Sequence, residues 1–362
     1  MKKILYFVHL PPPVHGVSVC NQHVITSKLL NSTYQKEVIS INFNNSHAGM
    51  RQRSLLKFLK VIPLSLKLIK SLISFKPDLV YFTLSPIGDA FKRDLLFIFI
   101  MKLLRAKIVY HLHGKGIALE SSSFLKKAYK YAFNNTNIIC LSKELTKDIN
   151  NVKGNAKVHL CANGILTPDL NSIIVNNDEK KIKLLFLSNL SPLKGIKLYL
   201  EVANKLIENG FNIEVHVAGP FTDKFKKEEF DNFIVSSSSL ASALIYHGGV
   251  EGKTKWTILK EADILIHPTF NDAFPLVILE AIASGCLIVS TNQGGIPDIL
   301  RNKPYGTIIE KITSDCLYEN LESLLEQKEH FNLWSKAALE DYNKHYTLDV
   351  FEQTLNEIFK KV

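Results

Sequence analysis

The sequence predicts an α/β protein built from two doubly wound domains. Three observations carry this expectation. Short runs rich in Val, Ile, Leu and Phe alternate with helical patterns along the chain. The runs are near-continuously apolar, as parallel strands covered on both faces require. A polar stretch, LTPDLNSIIVNNDEKK (166–181), divides the runs into two sets. A chain of 362 residues also suits two cores better than one.

The first set of predicted strands is KKILYFVHL (2–10), KEVISINF (36–43), DLVYFTL (78–84), KIVYHLH (107–113), NIICLS (137–142) and KVHLCAN (157–163). The opening run starts like a signal peptide, but Pro11-Pro12-Pro13 follows where a small-residue cleavage site would stand, so it reads as a buried strand. The second set is KIKLLFLSNL (181–190), IEVHVAGP (213–220), ALIYHGGV (243–250), ADILIHPTF (262–270), CLIVSTN (286–292) and YGTIIE (305–310). The expected organisation is an N-terminal domain over 1–165, a linker over 166–181, a C-terminal domain over 182–344, and a final helix over 345–362 that returns toward the N-terminal domain. Ligands in such folds sit at the carboxyl ends of the strands, so the two Rossmann-like domains are expected to face a central cleft.

Composition is that of an ordinary globular protein, 46% apolar and 22% charged. Five cysteines are scattered without a CxxC, which points to a reducing, cytoplasmic setting and excludes a structural zinc site. No apolar run reaches the roughly 18–20 residues of a membrane span. Charge is uneven: residues 1–165 hold 24 Lys and Arg against 7 Asp and Glu, while 166–362 hold 20 against 27. A basic half beside an acidic half points to an anionic partner for the first half, such as a membrane surface, a phosphorylated lipid or a nucleic acid. The confinement of charge to one half and the lack of a nucleic-acid-binding motif argue against the last. In RQRSLLKFLKVIPLSLKLIKSLISFK (51–76), a helical wheel puts Arg53, Lys57, Lys60 and Lys67 on one stripe and Phe58, Leu59, Ile62, Leu66 and Ile69 on the other. Pro63 is expected to kink or split this helix. The helix either lies on a membrane surface or packs on the sheet with a solvated lysine face. KRDLLFIFIMKLLRAK (92–107) has the same two readings.

The stretch NDAFPLVILEAIASG (271–285) carries the chemistry. A strand ends near Phe270, residues 271–274 make a turn, Pro275 suits a first helical position, and Gly285 stops the helix. The Leu276 and Val277 amides at the helix start lack intrahelical partners, and the helix dipole makes them a site for phosphates. Glu280 lies about 7–8 Å further along the axis at 1.5 Å per residue. A diphosphate at the helix start would thus place one sugar near Asp272 and another near Glu280, and carboxylates accept well from sugar hydroxyls. The spacing suits a nucleotide sugar.

Residues 271–298, NDAFPLVILEAIASGCLIVSTNQGGIPD, resemble the Glu-x7-Glu signature of retaining glycosyltransferases of the large family-four group, which have the GT-B fold. Asp272 and Asp298 stand where that family has Glu. The resemblance implies that Glu280 binds ribose, that Asp272 holds the donor sugar, and that Phe274, Pro275, Leu276 and Val277 form the turn around it. FLSNLSPLKGI (186–196) resembles the family's GRLxxxKG. This implies that Lys194 meets the diphosphate, with Asn189 in place of the usual arginine. Asn189 donates hydrogen bonds but brings no charge, and Lys115 is the candidate for a second cation. The resemblance further implies that His113 contacts the donor sugar, with His111 as its rival. It places Gly16 in the loop beside the diphosphate and Val250 of HGGV beside the nucleobase. CANGI (161–165) is similar to the PNG motif at the end of the family's first domain.

Together these readings predict a retaining hexosyltransferase using a nucleotide-sugar donor, a UDP-sugar before a GDP-sugar. His113, Lys194 and Asp272 are its expected catalytic residues. The resemblance implies a lipid-linked or cell-surface glycan acceptor, as in bacterial polysaccharide, O-antigen, capsule or lipopolysaccharide synthesis, and peripheral contact between the basic domain and an anionic membrane. No Asp-x-Asp triplet occurs, so neither a metal nor another cofactor is expected. The alternatives are a nucleotide-sugar epimerase of the same fold and a non-catalytic nucleotide-sugar-binding protein.

Overall fold

The computed structural model describes residues 1–41, 61–170 and 181–362. The chain divides into two compact units, Met1–Gly164 with Leu348–Val362, and Ile165–Thr347. The tail of the strand expected at 36–43, the helical segment 51–60 with Arg53, Lys57, Phe58, Leu59 and Lys60, and most of the expected linker lie outside the described residues.

The first unit holds a parallel sheet of six strands in the order β2-β1-β3-β4-β5-β6. These are β1 (Lys3–Val8), β2 (Gln35–Ser40), β3 (Leu79–Phe82), β4 (Ile108–Leu112), β5 (Asn137–Cys140) and β6 (Lys157–Leu160). Helices α1 (Gly16–Thr26) and α2 (Lys28–Thr33) follow β1. Helices α3 (Val61–Ser74), α4 (Gly88–Leu103) and α5 (Ser123–Phe133) alternate with the later strands. Alternate strand residues feed two cores, which explains the unbroken apolar runs. Leu5, Phe7, Val80 and Phe82 pack with Leu68 of α3, Phe97 of α4 and Tyr129 of α5. Ile4, Tyr6, Leu79 and Tyr81 pack on the opposite face, with Val24 of α1 and Leu30 of α2.

The second unit also holds a parallel six-stranded sheet, in the different order β12-β11-β10-β7-β8-β9. Its strands are β7 (Ile182–Leu187), β8 (Ile213–Ala218), β9 (Leu244–Tyr246), β10 (Ile264–His267), β11 (Leu287–Thr291) and β12 (Gly306–Ile309). Its helices are α6 (Ile196–Glu208), α7 (Lys227–Val235), α8 (Ser238–Ala243), α9 (Gly252–Glu261), α10 (Leu276–Ala283), α11 (Ile296–Leu300), α12 (Ser314–Leu325) and α13 (Phe331–His345). From β7 the chain winds one way to β8 and β9, then the other way to β10, β11 and β12. The strand order therefore reverses between β7 and β10, where doubly wound sheets open a crevice. A last helix, α14 (Leu348–Lys361), completes the first unit: its Phe351, Leu355 and Phe359 fill the core beside Tyr6 and Tyr81.

One local expectation is corrected and one open reading is narrowed. The apolar stripe of α3 is divided: Ile62 and Leu66 are exposed, next to Lys67 and Lys70, Ile69 packs against the core, and Val61, Ser65, Leu68 and Ser71 face inward. The helix is apolar on most sides, so periodicity alone does not choose the buried face; Ser71 is drawn in by its hydrogen bond to Glu37 on β2. Pro275 is not the first helical residue but the N-cap of α10, with extended backbone at φ −71° and ψ 120°. No helix among the described residues is long and apolar enough to cross a membrane.

Candidate functional site

The loops after β7 and β10 meet at the reversal point. Glycine makes the meeting possible. Gly195 has φ +82°, and a Cβ there would stand 2.2 Å from the Pro268 carbonyl oxygen. The Phe270 amide donates to the Leu193 carbonyl at 2.9 Å, locking the two loops together. On the other side Gly294, after β11, has φ +57°, and a Cβ there would stand 2.4 Å from the Asp272 and Ala273 carbonyl oxygens. The Gly295 amide donates to the Ala273 carbonyl at 2.6 Å. The turn that carries Asp272 is thus gripped from both sides.

Asp272 forms an ion pair with Lys194 through Oδ2. The same oxygen lies 3.2 Å from Nε2 of His267, the last residue of β10. His267 is almost wholly buried, and its backbone carbonyl accepts from Ser290 Oγ at 2.7 Å. Burial by itself would raise the Asp272 pKa. The hydrogen bond from His267 and the charge of Lys194 outweigh burial and bring it down to about 2. Burial lowers the His267 pKa, only partly offset by Asp272. At neutral pH Asp272 is therefore a carboxylate and His267 a neutral imidazole.

Glu280 has its own cation. Lys255 on α9 reaches Glu280 Oε1 at 2.7 Å. Burial raises the Glu280 pKa, against the pull of Lys255. Between the two acid–base pairs stands the start of α10, where the Leu276 and Val277 amides have no intrahelical acceptor. Phe274 and Pro275 are buried beneath this turn. Asn189 is exposed just beyond β7. Its loop is held against the loop after β8 by Gly219, where a Cβ would fall 1.8 Å from the Ser188 carbonyl oxygen. The Gly219 amide in turn donates to Gly248 at 2.7 Å, which fixes the HGGV loop and half-buried Val250. Lys194, Asp272, Phe274, Pro275, Leu276, Val277, Glu280, Asn189 and Val250 all belong to the second unit.

Gly16 and His113 belong to the first unit, as does Lys115. Gly16 opens α1 directly after His15, whose Nδ1 caps the helix by accepting from the Ser18 amide at 3.3 Å. His113 follows β4, half-buried, with its Nε2 shielded from solvent and unpaired. Burial, reinforced by nearby His15, pushes its pKa down to about 3. His111 is wholly buried, with Nδ1 2.6 Å from the Tyr81 hydroxyl. The rings of His111 and His113 lie 4.1 Å apart, centre to centre. Among the described residues, no group of three or more His, Cys, Asp and Glu side chains is placed to hold a metal ion.

Residues 169–341 match the family model described as Glycosyl transferases group 1. The second unit is similar to that family's domain. The match spans nearly all of that unit, including Lys194, Asp272 and Glu280. The GPI3 subunit of the Saccharomyces cerevisiae phosphatidylinositol N-acetylglucosaminyltransferase is 27% identical over 238 residues, covering 56% of this chain and 52% of that protein. The Salmonella typhimurium lipopolysaccharide 1,2-N-acetylglucosaminetransferase is 27% identical over 195 residues, covering 52% and 51%. The chain thus spans about half the length of these curated relatives. Anabaena HepE, solved in complex with UDP, superposes with a TM-score of 0.75 at 16% identity over the whole of both chains. The same protein solved with UDP-glucose gives 0.70. This likeness establishes the GT-B fold.

Two participants in this glycosyltransferase-type domain were missed in the sequence. His267 was legible only as part of a strand, although a histidine at the carboxyl end of a strand is a signal. Lys255 lies in GKTKWTILKE, where it is one lysine of three, and nothing local separates it from Lys253 or Lys260.

Proposed function

We propose that this protein is a retaining hexosyltransferase that takes its sugar from a UDP-sugar and passes it to a lipid-linked or cell-surface glycan. One observation carries the reading. The Lys194–Asp272–His267 cluster stands at the reversal point of the domain that matches the glycosyl transferases group 1 family. Lys194 and the Leu276 and Val277 amides oppose the charge that grows on a departing diphosphate. Lys194 leaves Asp272 for that diphosphate as the donor binds. Asp272, ionised at all working pH values, then accepts from hexose hydroxyls, held in place by His267. Glu280 accepts from the ribose hydroxyls, and Lys255 keeps it ionised. His113, neutral at pH 7, contributes a hydrogen bond to the sugar. Engaged by hexose hydroxyls and by His267, Asp272 serves as a binding group and not as a nucleophile in this reading. The acceptor attacks on the face the diphosphate leaves, and the departing phosphate takes its proton. The relatives' names support a UDP-linked hexose or N-acetylhexosamine, a glycan or lipid acceptor and a membrane setting.

A panel of UDP- and GDP-sugars tests this by thermal shift and by slow hydrolysis without acceptor. A donor that binds the native state alone raises the melting temperature. Hydrolysis should persist in EDTA; loss in EDTA with recovery in Mn²⁺ overturns metal independence. Interconversion of free UDP-hexoses marks an epimerase. A melting shift with no hydrolysis and no transfer marks a binding protein.

A further inference from the structure

His113 stands where β4 gives way to an irregular loop, and its placing depends on what holds that loop. On the strand side the hold is His111, whose Nδ1 lies 2.6 Å from the Tyr81 hydroxyl and whose ring lies 4.1 Å from that of His113. On the far side the loop is gathered onto one carboxyl group. The Gly116 and Ile117 amides donate to Asp148 Oδ2 at 2.9 and 3.0 Å, and the Ala118 amide donates to Oδ1 at 2.9 Å. These amides open the short 3₁₀ turn Ile117–Leu119, where a helical backbone has no acceptors of its own to offer. Gly116, at φ +120°, turns them toward a single point. Buried or packed amides without an acceptor are costly, so the conformation of the loop is tied to Asp148.

Asp148 itself has a firm mount. It lies in the segment Glu144–Ile149 that follows β5, between Leu145 and Ile149, both buried. Ser142 Oγ accepts from the Leu145 amide at 3.3 Å and fixes the start of that segment. The loop after β3 closes the other side. A Cβ on Gly114 would stand 2.7 Å from Pro86 Cγ, and one on Gly116 would stand 3.3 Å from the Ile87 side chain. Pro86 is anchored in turn, its carbonyl accepting from the Tyr129 hydroxyl of α5 at 2.7 Å. The held amides begin three residues after His113, whose Nε2 is shielded from solvent and unpaired within the protein. A group that must meet a reacting sugar needs such a hold, because a misplacement of about 1 Å costs about a hundredfold in rate.

We propose that Asp148 is a positioning residue: its carboxyl group gathers the 116–118 amides and thereby fixes the loop that sets His113 against the donor sugar. The sugar contact of His113 rests on the function proposed above; the hold on the loop does not. The test measures hydrolysis of the UDP-sugar that the wild type cleaves fastest, for Asp148→Ala, His113→Ala and the double variant. Asp148→Ala should lower kcat about tenfold, with KM for the donor within about threefold of wild type. The double variant should be no slower than His113→Ala alone, because Asp148 acts through His113. Asp148→Asn keeps one acceptor oxygen and should recover much of the rate; it carries the test if the alanine variant does not fold. A second reading needs no turnover: nuclear magnetic resonance of ¹⁵N-labelled histidines between about pH 5.5 and 8. In the wild type His113 should stay neutral throughout, its pKa pushed down to about 3 by burial. In Asp148→Ala it should begin to titrate as water enters the loosened loop, while His267 of the second unit stays unchanged. Wild-type kcat in Asp148→Ala, losses that add in the double variant, or an unaltered His113 signal overturns the proposal. A wild type that hydrolyses no donor refutes the proposed reaction instead, and the His113 signal then decides whether Asp148 holds that residue.

Discussion

The two units share a plan and differ in what they place at the same point of it. Each sheet runs outward in both directions from its first strand, so the order reverses between β1 and β3 in the first unit and between β7 and β10 in the second. At the second reversal stand charges in pairs, Lys194 with Asp272 and, a turn and a half into α10, Lys255 with Glu280. At the first stand one charged pair, Arg93 with Asp94, which accepts from the Ser85 amide after β3 at 3.1 Å, and neutral groups: Asn21 donates to the His9 carbonyl at 2.9 Å and to Thr83 at 3.1 Å, with His111 and Tyr81 nearby in the core. A reversal of strand order thus offers a crevice in either sheet and leaves its chemistry to the loop residues. The lysine excess of the first unit sits instead on its outer helices.

Four measurements press on that contrast, in order of expected effect. Replacing the charges of the second reversal point should cost most. Asp272→Ala and Lys194→Met are each expected to lower donor hydrolysis at least about a hundredfold, mostly in kcat. Wild-type rates in both variants would break the assignment.

Acid should separate the units next. His9, His111 and His113 have folded-state pKa values below the usual 6.5, mainly through burial, with His9 at about 4 and His113 at about 3. The unfolded chain therefore binds protons that the folded first unit refuses; the second unit does the same at His247 and His267, so the contrast is one of degree. Stability is full above about pH 6.5 and falls below it by about 1.4 kcal/mol per pH unit for each imidazole, until the folded pKa is passed. Asp272, depressed to about 2, keeps its contribution down to about pH 4 and loses it below. Both tryptophans, Trp256 and Trp334, lie in the second unit. On acidification, far-ultraviolet circular dichroism should change before tryptophan fluorescence; coincident transitions would count against the contrast.

Backbone strain gives a smaller effect. Gly294→Ala forces φ +57° on a residue with a Cβ and drives that Cβ into the Asp272 turn. A loss of about 1–3 kcal/mol is expected in denaturant melts, with weakened donor binding. An unchanged midpoint would show that the turn yields. The smallest effect belongs to Glu280→Gln, which keeps shape and removes charge. It should raise KM for the donor about tenfold with kcat nearly intact. A fall in kcat instead would move Glu280 into the chemical step.

Much of this was legible in the residues. Among the described residues, each of the twelve apolar runs holds a strand. The turn around Asp272, the free amides of α10 and the placing of Glu280 one and a half turns further follow from helix geometry and the sequence NDAFPLVILE. What the residues could not show is pairing across distance. Lys255 lies 25 positions before Glu280, and its partnership depends on how α9 packs beside α10. His267 becomes a partner of Asp272 only because β10 ends where the loop from β7 closes over it. The sequence left two readings of α3 open, because a helix apolar on most sides does not say by its pattern alone which side is buried.

The sequence by itself determined the two-domain α/β class, the places of the apolar runs that become strands and the unpartnered amides at the start of α10, because these depend on periodicity and on neighbours within a few residues. Only the tertiary structure decided which lysine neutralises which acid, which histidine steadies Asp272, and which side of α3 and α4 meets solvent. Those outcomes are set by contacts between segments far apart in the chain, where burial and charge pairing outweigh local preference.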